Sequence, residues 1–259
     1  MSYVFNIPFR GNHKLERVID SVKNNVKLRT LWKCANVMAI DRMGYTDHGP
    51  THVKIVANSA LKLLRILVDR KVVPSIVRDY DMKAEDAEVV VVLGSIFHDL
   101  GMVVTRDGHE LYGVLLASGF IEEFLQQVYS EEERTIIWSE VLHAIVSHEE
   151  PRKPLTLEAG IVQIADALDM EKGRARIPFQ SGKVDIHSVS ALSIEKVDIQ
   201  QGDKMPVVIR ITMSNSAGIF QIDELLKPRI ESSGLKNYIH VVAEITRRKE
   251  TRILDKFEI

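Results

Sequence analysis

Nine histidines punctuate the 259-residue chain, and six of them (His48, His52, His98, His109, His143 and His148) fall between residues 48 and 148. His98 and Asp99 stand side by side at the end of the apolar run "EVVVVLGSIF". Such a run buries itself, and an imidazole beside a carboxylate is costly to bury unless each has a partner. A metal ion would satisfy both. Adjacent positions on a helix diverge by ~100°, so one ion reaches both only if the helix stops there, and Gly101 is a suitable stop. Asp166 lies with Asp169 in the otherwise apolar "VQIADALDM"; a buried aspartate there asks for a cation.

The other histidines have weaker local signals. In "DHGPTHVKIVA" His48 and His52 are four apart. Gly49-Pro50 suits a helix start, with Pro in the first turn, so His52 sits just inside the helix and His48 hangs over its end. His109 follows the loop-like "TRDG". His143 and His148 diverge on a helix, so one of them is expected to be structural. The resulting order, H…HD…H…H…D, offers imidazole and carboxylate without thiolate, a donor set for Fe, Mn, Zn, Mg or Ni. Basic residues lie close by in sequence: Arg106 before His109, and Lys172, Arg174 and Arg176 in "MEKGRARIP". Guanidinium forks suit phosphate; the alternative is that these are solvated charges or partners of nearby acids.

The elements that must position these groups read mostly as helix from residue 13 to about 178, from three- and four-residue apolar spacing. The valine run could be a buried strand, but its length and acidic lead favour a buried helix. After "IPFQSG" the pattern changes. "VSALSIEKVDIQ" and "PVVIRITM" alternate as strands, "SAGIFQIDELLKPRIESSG" reads as a helix ending at Ser-Gly, and "KNYIHVVAEITR" reads as a third strand. The expected fold is therefore mainly α: a helical domain over residues 1–180 and a small β-β-α-β accessory domain over residues 184–259, for dimerisation, regulation or RNA binding.

Composition sets limits. Apolar residues make up 45% of the chain, enough for a core, and the net charge of −2 gives no global pull toward nucleic acid or membrane. The single cysteine, Cys34, excludes an internal disulfide and any multi-cysteine zinc site; it reads as a small buried residue. No apolar stretch of ~18 residues suggests a membrane span, and the N-terminus lacks a signal-peptide core. A cytoplasmic protein is expected.

The order of ligands resembles the HD superfamily of metal-dependent phosphohydrolases, over residues 48 to about 176. The resemblance implies that His52, His98, Asp99 and Asp166 are primary metal ligands. "HELYG" and "AIVSH" look like the two-metal subset, which implies His109 and His148 on a second ion, with Asp99 bridging. "DHGPTH" is similar to the H-N-x-x-H segment of cyclic-nucleotide phosphodiesterases, which implies that His48 is a proton donor rather than a ligand. The region from "GHELYG" through "EKGRAR" is similar to the catalytic part of ribonuclease Y. Met102 stands where many active members carry lysine, and no G-Y-P follows "HEE".

The expected function is hydrolysis of a phosphate ester, of a nucleotide or related small molecule, with one or two divalent ions activating water, Asp99 and His48 as catalytic groups, and a homo-oligomeric assembly. The rivals are a phosphodiesterase or ribonuclease of the ribonuclease Y type, a di-iron oxygenase, and a non-catalytic regulator; the last would show lost ligands, and none is lost.

Overall fold

The computed structural model describes residues 5–173 and 190–246. Arg174, Arg176 and the boundary expected between residues 180 and 184 lie outside the described residues, as does most of the basic run near the C-terminus.

Among the described residues, eight α-helices build the first part: α1 (His13–Asn24), α2 (Val26–Asn36), α3 (Pro50–Asp69), α4 (Ser75–Tyr80), α5 (Ala84–Phe97), α6 (His109–Leu125), α7 (Glu131–Ser147) and α8 (Leu157–Ala167). Their starts follow side-chain chemistry. Asn12 Oδ1 accepts from Leu15 N and Asn25 Oδ1 from Leu28 N, so the long N-terminal periodic stretch breaks into two helices at Asn25. Ser130 and Glu133 form a capping box for α7, and Thr156 Oγ1 accepts from Ala159 N at the start of α8. Pro50 is the first residue of α3, with Gly49 as its cap.

The valine run is α5, the central helix. Every residue from Val89 to Phe97 is buried, because α1, α3, α7 and α8 all contact α5. A helix enclosed on all sides has no polar face, which is why its sequence shows no helical period. Each large aliphatic side chain buried there contributes roughly 1.5–3 kcal/mol. Cys34 departs from expectation: it is exposed. Leu28, Trp32 and Ala35 take the buried face of α2, and Cys34 falls on the opposite side.

The C-terminal part has the expected β-β-α-β order. β1 (Ile194–Gln201) pairs antiparallel with β2 (Val207–Met213), and β2 pairs parallel with β3 (Ile239–Ile245), in the order β1-β2-β3. A parallel pair needs a crossover. It is made by α9, residues 219–232, which runs as Ile219–Gln221, a π turn at Ile222–Leu226, and Lys227–Ser232. Gly234 follows with φ +78°, the left-handed stop that glycine adopts freely. Val207, Ile209, Ile211 and Met213 alternate into the core, β1 and β2 contact α3, and one continuous apolar cluster spans helices and sheet. Among the described residues no helix is long and apolar enough to cross a membrane.

Gly101 has a different role from the stop signal it suggests in sequence. A short 3-10 helix (Leu100–Val103) follows α5 and lies against the start of α6. A Cβ on Gly101 would come within 1.9 Å of the His109 carbonyl oxygen and 2.6 Å of Gly113 N. Glycine is needed so that the backbone after His98-Asp99 can touch the backbone that carries His109. Gly101→Ala is therefore expected to cost about 2–4 kcal/mol in urea unfolding. Gly119→Ala, on the exposed side of α6 with nothing within 4 Å, should instead stabilise by up to ~1 kcal/mol. Equal, small effects at both positions would contradict the close-approach account.

Candidate metal centre

Helix ends converge on one point. His52 enters from the first turn of α3, and His98 and Asp99 follow the last residue of α5. His109 is the first residue of α6, His148 caps the end of α7, and Asp166 lies in the last turn of α8. The chain leaves helical geometry at Asp99 (φ −95°, ψ 5°), which lets two adjacent residues face one site. His52, His98, Asp99, His109 and His148 are all buried.

The imidazoles form two pairs. His52 Nε2 and His98 Nε2 are 3.1 Å apart, and so are His109 Nε2 and His148 Nε2. The other ring nitrogen of each has an acceptor. His52 Nδ1 donates to Asp169 Oδ2 (2.6 Å), His98 Nδ1 to the Ser95 carbonyl (2.8 Å) and His148 Nδ1 to the Ile145 carbonyl (2.6 Å), while His109 Nδ1 lies 3.0 Å from the Arg106 carbonyl and 2.9 Å from Arg106 Nη1. With the proton held on Nδ1, a neutral imidazole presents its Nε2 lone pair. Two lone pairs 3.1 Å apart repel unless a proton or a cation lies between them.

Asp99 joins the pairs. Its Oδ2 is 3.1 Å from His52 Nε2 and 3.2 Å from His98 Nε2; its Oδ1 is 3.2 Å from His109 Nε2 and 3.7 Å from His148 Nε2. Asp166 Oδ1 adds to the first pair, at 3.3 Å from His52 and 3.6 Å from His98. Asp99 Oδ2 is buried without a hydrogen-bond partner. That oxygen, set against the Nε2 atoms of His52 and His98, fits a divalent cation, which would take the place of the proton that the Asp99 and Asp166 carboxylates otherwise favour on His98. His52, His98 and Asp166 could hold one ion; His98, Asp99 and His148, or His109, His148 and Glu149, are further sets with metal-ligand spacing.

The protein groups also set one another's ionisation. Burial alone pushes the His98 pKa down. The Asp99 charge and hydrogen bonding to Asp166 and Asp99 outweigh it and raise the value to about 9. His109 is raised in the same way, burial being outweighed by its contact with Asp99. Burial would lift Asp99, but the charges of His98 and His48 and the hydrogen bonds of His109 and His148 hold it well below the usual carboxylate range. Asp166 is held low too, against burial, by His52, His98 and Arg229. A cluster that keeps its carboxylates ionised while buried is one that attracts positive charge.

The remaining predicted residues take varied positions. His48 is half-buried, with its ring centroid 5.8 Å from that of His52. Its Nδ1 donates to the Thr46 carbonyl (2.7 Å), and its backbone N–H donates to Asn36 Oδ1 (2.9 Å). Arg106 lies beside the cluster, its Nη2 donating to Glu149 Oε1 at 3.0 Å. Lys172 turns to β1, where its Nζ meets Glu195 Oε2 at 2.5 Å. His143 stands apart: its Nε2 accepts from Leu155 N (3.0 Å), and burial lowers its pKa.

Three further residues join the site, and sequence alone assigns none of them a place in it. Asp169 is conspicuous beside Asp166, but only the fold shows that it grips His52. Glu149 adjoins His148, and its side chain turns back over the second pair, with Oε2 4.0 Å from His148 Nε2. Arg229 comes from α9, with Nη2 3.6 Å from Asp166 Oδ2 and 3.8 Å from Glu149 Oε2.

Metal content after gentle purification tests the assignment. His109→Ala should remove one ion per chain, and Asp99→Ala should remove both, because each carboxylate oxygen serves one histidine pair. Asp169→Ala should weaken the site by ~10–100-fold, the usual cost of losing the acceptor that orients a ligand histidine. His143→Ala should change stability more than metal content. Full occupancy in His109→Ala would reduce the centre to one ion.

The HD domain family model matches residues 51–171, the segment that supplies His52 through Asp169. An uncharacterized protein of Methanocaldococcus jannaschii is 47% identical over 232 residues, covering 90% of each chain. Ribonuclease Y of Aster yellows witches'-broom phytoplasma is 26% identical over 178 residues, which is 65% of this chain and 30% of that enzyme. With the buried histidine-aspartate cluster inside the matched segment, the chain belongs to the HD-domain superfamily, a family of metal-dependent phosphohydrolases.

Proposed function

We propose that the protein hydrolyses a phosphate ester of a nucleotide or related small molecule, with one divalent ion on His52, His98, Asp99 and Asp166 and a second on Asp99, His109 and His148. The observation that supports this most is the division of Asp99, one oxygen toward each pair of imidazoles. When bound, divalent metal supplies hydroxide at neutral pH by lowering the pKa of water from ~15.7 toward ~7.

Charge balance supports an anionic substrate. Asp99, Glu149, Asp166 and Asp169 bring four negative charges to the cluster, and Arg106 and Arg229 bring two positive ones. Two divalent cations would reverse the remaining two negative charges to two positive, a match for a phosphate dianion. Arg106 lies on the second-pair side, placed to reach a phosphate oxygen with its fork.

His48 is proposed as the general acid. Its Nδ1 donates to the Thr46 carbonyl, so the protonated ring carries its other proton on Nε2, and the ring sits next to His52. An imidazole titrates in the range that suits protonation of a leaving alkoxide. Asn36 and the Gly49-Pro50 start of α3 set its position: a Cβ on Gly49 would lie 2.3 Å from Asn36 Nδ2.

A phosphodiesterase or ribonuclease activity is the second reading, favoured by the similarity to ribonuclease Y. A panel of nucleotides, cyclic nucleotides and short RNAs, with each metal in turn, separates the two. His48→Asn should leave metal content unchanged and lower turnover of an alkoxide-leaving substrate by ~10²–10⁴-fold. A nitrophenyl ester, whose leaving group needs little protonation, should lose much less. Equal losses on both substrates, or loss of an ion, would return His48 to the ligands.

A further inference from the structure

Arg229 is the one guanidinium that reaches the centre from outside the helical bundle, among the described residues. Packing holds it there. A Cβ on Gly160 of α8 would come within 2.3 Å of the Ser233 carbonyl oxygen just past α9, so the two helices touch backbone to side-chain-free surface. Ser232 Oγ donates to Gln163 Oε1 (3.2 Å), and Gln163 Nε2 donates to the Ser147 carbonyl at the end of α7 (3.3 Å). Gly160, Gln163 and Asp166 follow one another at three-residue spacing along one face of α8. Arg229 stands three and four residues before Ser232 and Ser233 on the matching face of α9. The same contact that locks α9 onto α8 therefore delivers Arg229 to Asp166.

Once there, the guanidinium is under-used. The side chain is only 14% exposed, yet its contacts with Asp166 Oδ2 and Glu149 Oε2, at 3.6 and 3.8 Å, are longer than hydrogen bonds. Its Nε is buried and has no hydrogen-bond partner. A guanidinium carries five N–H donors, and leaving a buried one unmet is costly. The place already suits an oxyanion. The Glu149 carboxylate lies between Arg106 Nη2 (3.0 Å) and Arg229 Nη2, beside His148.

We infer that Arg229 is a phosphate-binding residue of the metal centre, so that the C-terminal β-β-α-β unit completes the substrate site. The inference rests on the phosphohydrolase reading above and names one contact of its substrate. Arg229 and Arg106 would flank the anion, and the fork of Arg229 would meet phosphate oxygens with the donors that Asp166 and Glu149 leave free. A purely structural Arg229 would neutralise Asp166 and tie the two parts of the chain together. That role would show in stability or in metal content, not in phosphate affinity.

The test is calorimetric titration of inorganic phosphate into the metal-loaded full-length protein, with metal analysis on the same samples. The wild type should bind phosphate only when loaded. Arg229→Gln should weaken phosphate by ~10–100-fold, the range for losing charge-assisted hydrogen bonds, with metal per chain unchanged. Arg229→Lys keeps the charge and the aliphatic stem but not the fork. It should fold even if the Gln variant fails to, and lose ~3–10-fold in phosphate affinity by the same reasoning. Wild-type affinity in Arg229→Lys, or loss of an ion in either variant, overturns the role of Arg229. Failure of the loaded wild type to bind phosphate overturns the phosphohydrolase reading itself, and this inference with it.

Discussion

The site depends on one carboxylate. Asp99 is buried, holds its charge against burial, and turns one oxygen to His52 and His98 and the other to His109 and His148. Each of those histidines has a backbone or carboxylate acceptor beside its Nδ1, which at His109 is shared with Arg106 Nη1. The four Nε2 atoms converge on Asp99 from two sides. Much of the local architecture follows from bringing that carboxylate to the place where four rings can reach it: the stop of α5 at Phe97, the bare glycine at 101, and the start of α6 at His109.

The helices act as supports whose ends, rather than faces, carry the chemistry. α5, α7 and α8 end at the cluster, and the partial negative charge at a helix C-terminus favours a cation nearby. α3 and α6 begin there, and their N-terminal ends favour an anion. The centre thus joins both polarities in one small volume, which suits the proposed pairing of metal and phosphate. The bundle core beneath it is apolar and continuous, and it extends through α3 into the sheet. The C-terminal unit shares this core, so its helix α9 can carry a charged side chain to the cluster with little freedom to wander.

Much of this was legible in the sequence. Polar residues at the ends of apolar runs stood out because burial makes them expensive alone, and so His98, Asp99 and Asp166 could be read without any structure. The start of α3 followed from Gly49-Pro50, and the strands from β-branched alternation. Other features depend on tertiary approach and left no local trace. Nothing in "LKPRIESS" distinguishes Arg229 from any amphipathic arginine; only the packing of Gly160 against Ser233 gives it a place. Lys172 showed the opposite problem. It is close to Asp166 in sequence, but the chain turns after Asp169 and carries it to Glu195 on β1. Cys34 misled for a simpler reason: its apolar neighbours Trp32 and Ala35 occupy the buried face, and it does not.

The central claim is that Asp99 bridges two metal ions. Anomalous diffraction from crystals grown with manganese, recorded at the metal edge, tests it directly. The account predicts two peaks per chain, roughly 3.5–4 Å apart as in other two-metal sites, one against each oxygen of Asp99. A single peak on His52, His98 and Asp166, with nothing between His109 and His148, would contradict it.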